Sequence, residues 1–355
     1  MAERDQLSLV EALVSHKVGR NETLDRLARD VKWYRFEKLL ARLRPDGPGR
    51  PPYDPMLMLK ALLLQQWYGL SDAELEEALN DRVSFRRFLG LSLEDAAPDH
   101  TTLCRFRNKL VDQRLADKLF GEFEKQLDQR GLLLKRGTMI DASLVATAHR
   151  PGSADGERAA VDPDAALTAR KGRPGTHYGY KMHAGVDQDS RLIRRVTLTP
   201  ANINDTVAAD AMVSGDERAV YADKAYAKRA RNAWLSSLGI KPRIMHKSWG
   251  GGPKLRASQK RHNALISKIR AEVEGVFATL KRWLGFDRVR YRGLLKNTAH
   301  LNLVALAYNI KRRSGLLAER PPAARKGPDS PPTASTRLTR LALIHPKTSH
   351  RSITQ

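Results

Sequence analysis

The run Gly137-Thr138-Met139-Ile140-Asp141-Ala142-Ser143-Leu144-Val145 reads as a strand with a carboxylate set inside it. Aspartate is depleted from strands and is seldom buried without a partner. Here it interrupts Met139-Ile140 and Leu144-Val145. A second strand-like run, Arg218–Ala222, ends in Asp223 before a helical stretch opens at Lys224-Ala225-Tyr226. Glu274 lies inside a long helical segment with Arg270 before it and Lys281 after it. Two strands and a helix, each delivering one carboxylate, can clamp a pair of divalent metals for phosphoryl transfer.

Taken singly, each acid has a plainer reading. Asp223 suits the cap of the helix that follows it. Glu274 suits an exposed helix position among basic neighbours. Asp141 is the hardest to dismiss, and the three in this order are far more specific than any one of them. The oxygen-only donor set points to magnesium, which accepts a few carboxylates and keeps several waters.

The charge distribution narrows the partner. The chain has 355 residues and a formal net charge of +24. Residues 1–130 carry 22 Lys+Arg against 22 Asp+Glu, residues 131–313 carry 34 against 15, and residues 314–355 carry 7 against 2. The positive excess thus sits in the part that holds the three acids, where it attracts polyanions. The single cysteine, Cys104, excludes an intrachain disulfide and a thiolate-rich zinc site. Met1-Ala2-Glu3-Arg4-Asp5 does not open a signal peptide, and the longest apolar run, 56–64, is interrupted by Lys60 and too short for a bilayer. These features predict a cytoplasmic protein with no membrane partner.

Three regions follow from the pattern. Residues 1–130 read as an all-helical N-terminal domain: Pro55 opens one helix, Ser71-Asp72-Ala73-Glu74 is a capping box, and Pro98-Asp99-His100-Thr101 opens another. On that last helix Leu103, Phe106 and Leu110 recur at core spacing, while Thr102, Arg105, Asn108 and Lys109 face away. A helix-turn-helix with a basic outer face, or an ordinary helical bundle, satisfies this pattern. Residues 131–313 alternate strands and helices: strand 138–146, a hairpin of 180–186 with 192–198, a helix near 206–213, the strand ending at Asp223, a helix at 225–238, a strand at 242–245 and the long helix of Glu274. The order predicts an α/β fold, a mixed sheet flanked by helices. Residues 314–355, rich in Pro, Ser, Thr and Arg, read as a disordered basic tail.

Several local runs carry a further resemblance: Asp141-Ala142-Ser143, Asp162-Pro163-Asp164-Ala165, Gly179-Tyr180-Lys181-Met182-His183, Pro200-Ala201-Asn202-Ile203-Asn204-Asp205, Ala222-Asp223-Lys224-Ala225-Tyr226, and Arg270 with Glu274 and Lys281. With the helical stretch Pro51–Leu110, they make the chain resemble bacterial insertion-sequence transposases of the DDE type, specifically insertion-sequence family 5, over about residues 20–313. The resemblance implies a ribonuclease-H-like catalytic domain. It implies Asp141, Asp223 and Glu274 as metal-binding catalytic acids for Mg, with Mn able to substitute. It also implies that Arg270 and Lys281 grip phosphates of the transposon end. The partners implied are double-stranded DNA, both transposon ends and target, and a second copy of the chain when two ends are synapsed. Where related families often have a tyrosine three residues before the arginine, this chain has Ser267. The short stretch from Asp223 to Glu274 leaves no room for the β-rich insertion of some hairpin-forming relatives.

Other basic residues are candidates for DNA contact. Lys181 and His183, two apart on a strand, share a face and suit phosphate contact beside the metals, or a solvated and a core position. Lys228, Arg229 and Arg231, and Arg288, Arg290 and Arg292, suit a DNA channel or a solvated surface; Arg105 and Lys109 suit the helical domain's DNA face. Trp249 suits base stacking or packing. Two rival functions remain: a transposase-derived DNA-binding regulator without catalysis, and a general nuclease or RNA-binding protein.

Overall fold

The structure, a computed structural model, describes residues 19–43, 52–148, 162–169, 175–248 and 254–319. The helical region contains α1 (Glu22–Asp30), α2 (Tyr34–Leu40), α3 (Pro55–Tyr68), α4 (Asp72–Asp81), α5 (Val83–Leu89), α6 (His100–Asp112) and α7 (Leu115–Gln129). Their starts follow the local signals. Pro55 stands at the first turn of α3, where its missing N–H costs nothing. The Ser71 capping box forms in full, with Glu74 N donating to Ser71 Oγ at 3.2 Å and Ser71 N donating to Glu74 Oε2 at 2.7 Å. Asp99 caps α6 by accepting from Thr102 N at 2.6 Å. Helix α3 is buried almost all round, as a helix without an amphipathic period must be, and forms the middle of this region.

The sheet contains β1 (Thr138–Ala146), β2 (Ala166–Ala169), β3 (Thr176–Asp187), β4 (Ile193–Pro200), β5 (Ala219–Ala222) and β6 (Lys241–Ile244). Helices α8 (Asp205–Ala208), α9 (Arg229–Ser237), α10 (Ala257–Arg282) and α11 (Leu294–Glu319) accompany it. The strands run β2-β3-β1-β5-β6, with β4 also on β3. The hairpin side is antiparallel to β1, whereas β5 and β6 run parallel to it. Three antiparallel strands continued by two parallel ones, with helices covering the faces, make the ribonuclease-H-like sheet that the resemblance implied. Strand β2 is an addition that the sequence pattern did not reveal, since it lies in the stretch read as a loop. Gly179, where β1, β2 and β3 meet, has φ +153°, and a Cβ there would lie 2.2 Å from the Val145 carbonyl oxygen. Only glycine lets the strands approach so closely.

The boundary expected near residue 130 separates helical from sheet sequence but does not separate two cores. The described residues form one compact unit, and one apolar cluster runs from Leu24 through the helices to the sheet and α11. Helix α11, which the sequence pattern did not single out, joins the parts. Trp67 Nε1 on α3 donates to the Ala307 carbonyl at 2.9 Å, and Asn309 grips Ile193 of β4 through both its N–H and its C=O. The tail expected from residue 314 begins inside this helix, and residues 320–355 lie outside the described residues. The Asp162–Ala165 motif has a structural task. Asp162 accepts from Tyr180 Oη and Gly293 N, and Asp164 from Leu294 N, which caps the start of α11.

Two buried histidines give the fold a pH dependence. Burial holds His300, bonded to Gln66 of α3, down at about 3, and His183 down at about 4. Both stay neutral in the fold while the unfolded chain protonates them near 6.5. Their contribution is therefore present above that value and is lost as pH falls toward 4, by up to about 1.4 kcal/mol per pH unit for each. Denaturant unfolding between pH 6 and 5 should show this loss, and His300→Gln should remove about half of the slope. An unchanged slope in that variant would contradict the assignment.

Candidate active site

Strand pairing brings the first two acids together. Thr138 pairs with Val220 and Met139 with Tyr221, so the same offset sets Asp141 level with Asp223 one residue past the end of β5. Level residues on neighbouring strands point to the same face, with backbones about 4.8 Å apart. Asp141 Oδ1 accepts from Ala142 N at 2.9 Å, and Asp223 Oδ1 accepts from Lys224 N at 2.6 Å. Asp223 thus caps the short 3-10 turn at Lys224–Tyr226, as its plainer reading expects, while it stands level with Asp141. Burial pushes the Asp141 carboxyl above the usual carboxylate range; Arg270 and the Ala142 amide pull it back, and the charges of Asp223 and Asp205 raise it.

Helix α10 lies over this face. Arg270 Nη2 meets Asp141 Oδ2 at 2.9 Å, and Lys281 Nζ donates to the Leu144 carbonyl at 2.6 Å. Beyond β5 the edge of β1 stays open until Ala146, which pairs with the Asp287–Val289 segment. Arg270 and Lys281 thus touch β1 along this open stretch. Glu274 stands one turn after Arg270 on the same side of the helix, between the two contacts, and is exposed. Ser267 is exposed on the preceding turn. Among the described residues no three His, Cys, Asp or Glu side chains gather closely enough to hold a metal. The register sets the two aspartates level, and Glu274 does not complete a three-carboxylate cluster with them.

Lys181 and His183 do share a face, but it is the opposite one. His183 pairs with Ala142 and Lys181 with Leu144, and these alternate with Asp141. His183 is 1% exposed and bonds Thr199 Oγ1 through Nε2 at 2.9 Å, which corrects its expected place at a DNA surface. Lys181 Nζ is held by the Ile203 carbonyl at 2.8 Å and by Asp205 Oδ1 at 2.5 Å. Asp205 was not singled out as a site residue, although the Pro200–Asp205 run held the signal. Tyr226, also behind the aspartates, is 1% exposed, and its hydroxyl is buried without a hydrogen-bond partner. Burial raises its pKa, and the charges of Asp141, Asp205 and Asp223 add to the rise.

The basic clusters divide. Lys228 and Arg229 are exposed, whereas Arg231 is buried and clasps Asp210, the Tyr226 carbonyl and the Thr206 carbonyl. Arg288 is exposed, and Arg290 donates to the Leu70 carbonyl at 2.7 Å. Arg105 and Lys109 are exposed on α6. That helix is fixed to α4 by the two-point Arg107–Asp72 pair at 2.8 and 2.6 Å. Trp249 lies outside the described residues.

Asp141 and Asp223, half-buried and level on neighbouring strands, with the Arg270 guanidinium seated on Asp141, are oxygen donors of the kind a hard divalent cation takes. Residues 133–310 match the family described as "Transposase DDE domain", and residues 13–109 match "Transposase domain (DUF772)". The chain belongs to the DDE transposases, a family of enzymes that generally use divalent metal ions. It is also similar to two solved structures. One is the cryo-EM structure of the piggyBac transposase synaptic complex with hairpin DNA, at 10% identity and TM-score 0.41, over 84% of this chain and 76% of that one. The other is the crystal structure of the Mos1 strand transfer complex, at 12% identity and TM-score 0.18, over 79% and 82%. No helix among the described residues is long and apolar enough to cross a membrane.

Proposed function

We propose that this chain binds the terminal inverted repeats of an insertion sequence, cleaves the ends to free 3′-hydroxyls, and joins those hydroxyls to target DNA. The observation that carries the reading is the level placement of Asp141 and Asp223 beneath a helix that presents Arg270, Glu274 and Lys281. Asp141 and Asp223, with Glu274 drawn in from α10, would hold Mg, or Mn in its place. The metal would stabilise the attacking and leaving oxygens of an in-line displacement.

The chain's own residues do the rest. Arg270 and Lys281 flank Glu274 and suit the orientation of phosphates along the open edge of β1. Water, and then the DNA end, serve in turn as nucleophile. Tyr226 is too deeply buried to attack a phosphodiester. Exposed Lys228 and Arg229, and Arg105 with Lys109 on α6, extend the positive surface that would track the duplex. Two ends held together call for at least a dimer on DNA.

A labelled duplex carrying one end of the element tests the reading. The chain should retain that duplex against excess random DNA and, with Mg, release a 3′-hydroxyl at the end. Equal competition by random DNA would replace a transposase with a general nuclease, and end binding without cleavage would make it a regulator.

A further inference from the structure

Arg270 sits where a cation would be needed, and its seat there is a poor one for arginine. One nitrogen meets Asp141 at 2.9 Å, another has only the Met245 sulfur at 4.0 Å, and Nε is buried with no hydrogen-bond partner. A guanidinium carries its donors in a fork that matches two oxygens at once, so this arrangement leaves much of its capacity unused. Its charge nonetheless compensates Asp141, which stands beside Asp223 and near Asp205. The residue therefore has a stronger partner available than the one it holds, namely the paired oxygens of a phosphodiester.

We propose that Arg270 is a latch: it occupies the cation position at Asp141 until a phosphate of the DNA end draws it away, so that metal loading and end binding are coupled. The inference rests on the reading of Asp141 and Asp223 as metal-binding acids. A divalent ion approaching Asp141 meets a fixed positive charge 2.9 Å from one carboxylate oxygen and must displace it or bear the repulsion. Movement of the guanidinium onto a phosphate removes that charge and leaves two uncompensated aspartates, which favours the ion. Arg270 lies one helical turn from exposed Glu274, so the route from carboxylate to a DNA backbone at the surface is short. Because coupling between two ligands is reciprocal, the ion must strengthen end binding by the same factor as the end strengthens ion binding.

The test is Mn binding to the full-length protein, measured by electron paramagnetic resonance without turnover. In the absence of DNA, Arg270→Gln should bind Mn about tenfold more tightly than the wild type, and Arg270→Lys should not. A duplex bearing the element's end should tighten Mn binding to the wild type about tenfold, and Mn should tighten duplex binding equally. This wild-type coupling requires no variant to fold, and Arg270→Gln should lack it. Unchanged or weaker Mn binding in a folded Arg270→Gln chain, or an end duplex that leaves wild-type Mn affinity unaltered, overturns the latch. Mn binding indifferent to both Asp141→Asn and Asp223→Asn overturns the metal assignment beneath it, which keeps the two failures distinct.

Discussion

Asp223→Asn is expected to lower Mg-dependent cleavage of an end duplex by at least about a thousandfold. Removing one preorganised electrostatic group from a reaction centre already costs about 10²–10³ in rate. Here the same change also weakens ion binding. The asparagine keeps a side-chain oxygen to accept from Lys224 N, a bond of 2.6 Å in the native chain, so the turn at Lys224–Tyr226 should persist. The melting temperature and affinity for the end duplex should therefore stay near the wild-type values. Single-turnover cleavage, with a mobility shift on the same duplex, separates the two effects. Cleavage within a few-fold of wild type would remove Asp223 from the catalytic acids, whatever its position beside Asp141.

The second large effect concerns Asp187, which holds the entrance to β1. It is fully buried and accepts from Leu134 N at 3.0 Å, Lys135 N at 2.9 Å and Ser190 Oγ at 2.5 Å. Burial raises its pKa, whereas Ser190, the two amides and the charge of Arg194 lower it. Asp187→Ala strands one buried and two part-buried donors at once, so the expected loss is about 3–5 kcal/mol in denaturant unfolding. Asp189→Asn, two residues away in the same turn, keeps a side chain that suits the left-handed φ of +70° there, removes only the charge of an exposed pair with Arg136 at 3.3 Å, and should cost under about 0.5 kcal/mol. Comparable losses in the two variants would refute the role given to Asp187. Because the bonds tie residues 134–135 to the hairpin, the damaged chain should also place Asp141 less accurately and cleave more slowly below its melting point.

Much of this architecture could be read locally. The capping box at Ser71, the proline at the start of α3 and the strand at 138–146 concern neighbours a few residues apart, and each formed as expected. What escaped was non-local. Strand β2 is short and has no apolar alternation of its own, and its pairing with β3 gives it its identity. Helix α11 lacks an amphipathic stripe because it is covered on several sides, and its buried Asn297, His300 and Asn309 look like surface residues until their partners are known. The same holds for Arg231, which reads as part of a cationic run yet closes the turn beneath Tyr226.

The candidate site divides in the same way. Amino-acid order alone determined that Asp141 must break an apolar strand, that Asp223 must follow one, and that Arg270, Glu274 and Lys281 fall on one side of a helix. It also determined that Lys181 and His183 share a face, because side chains alternate along any strand. Which face they share relative to Asp141 depends on the register between β1 and β3, and a slip of one residue would reverse it. Tertiary pairing alone set Asp141 level with Asp223, placed His183 in the core and seated Arg270 on a carboxylate, since each depends on contacts between segments far apart in the chain.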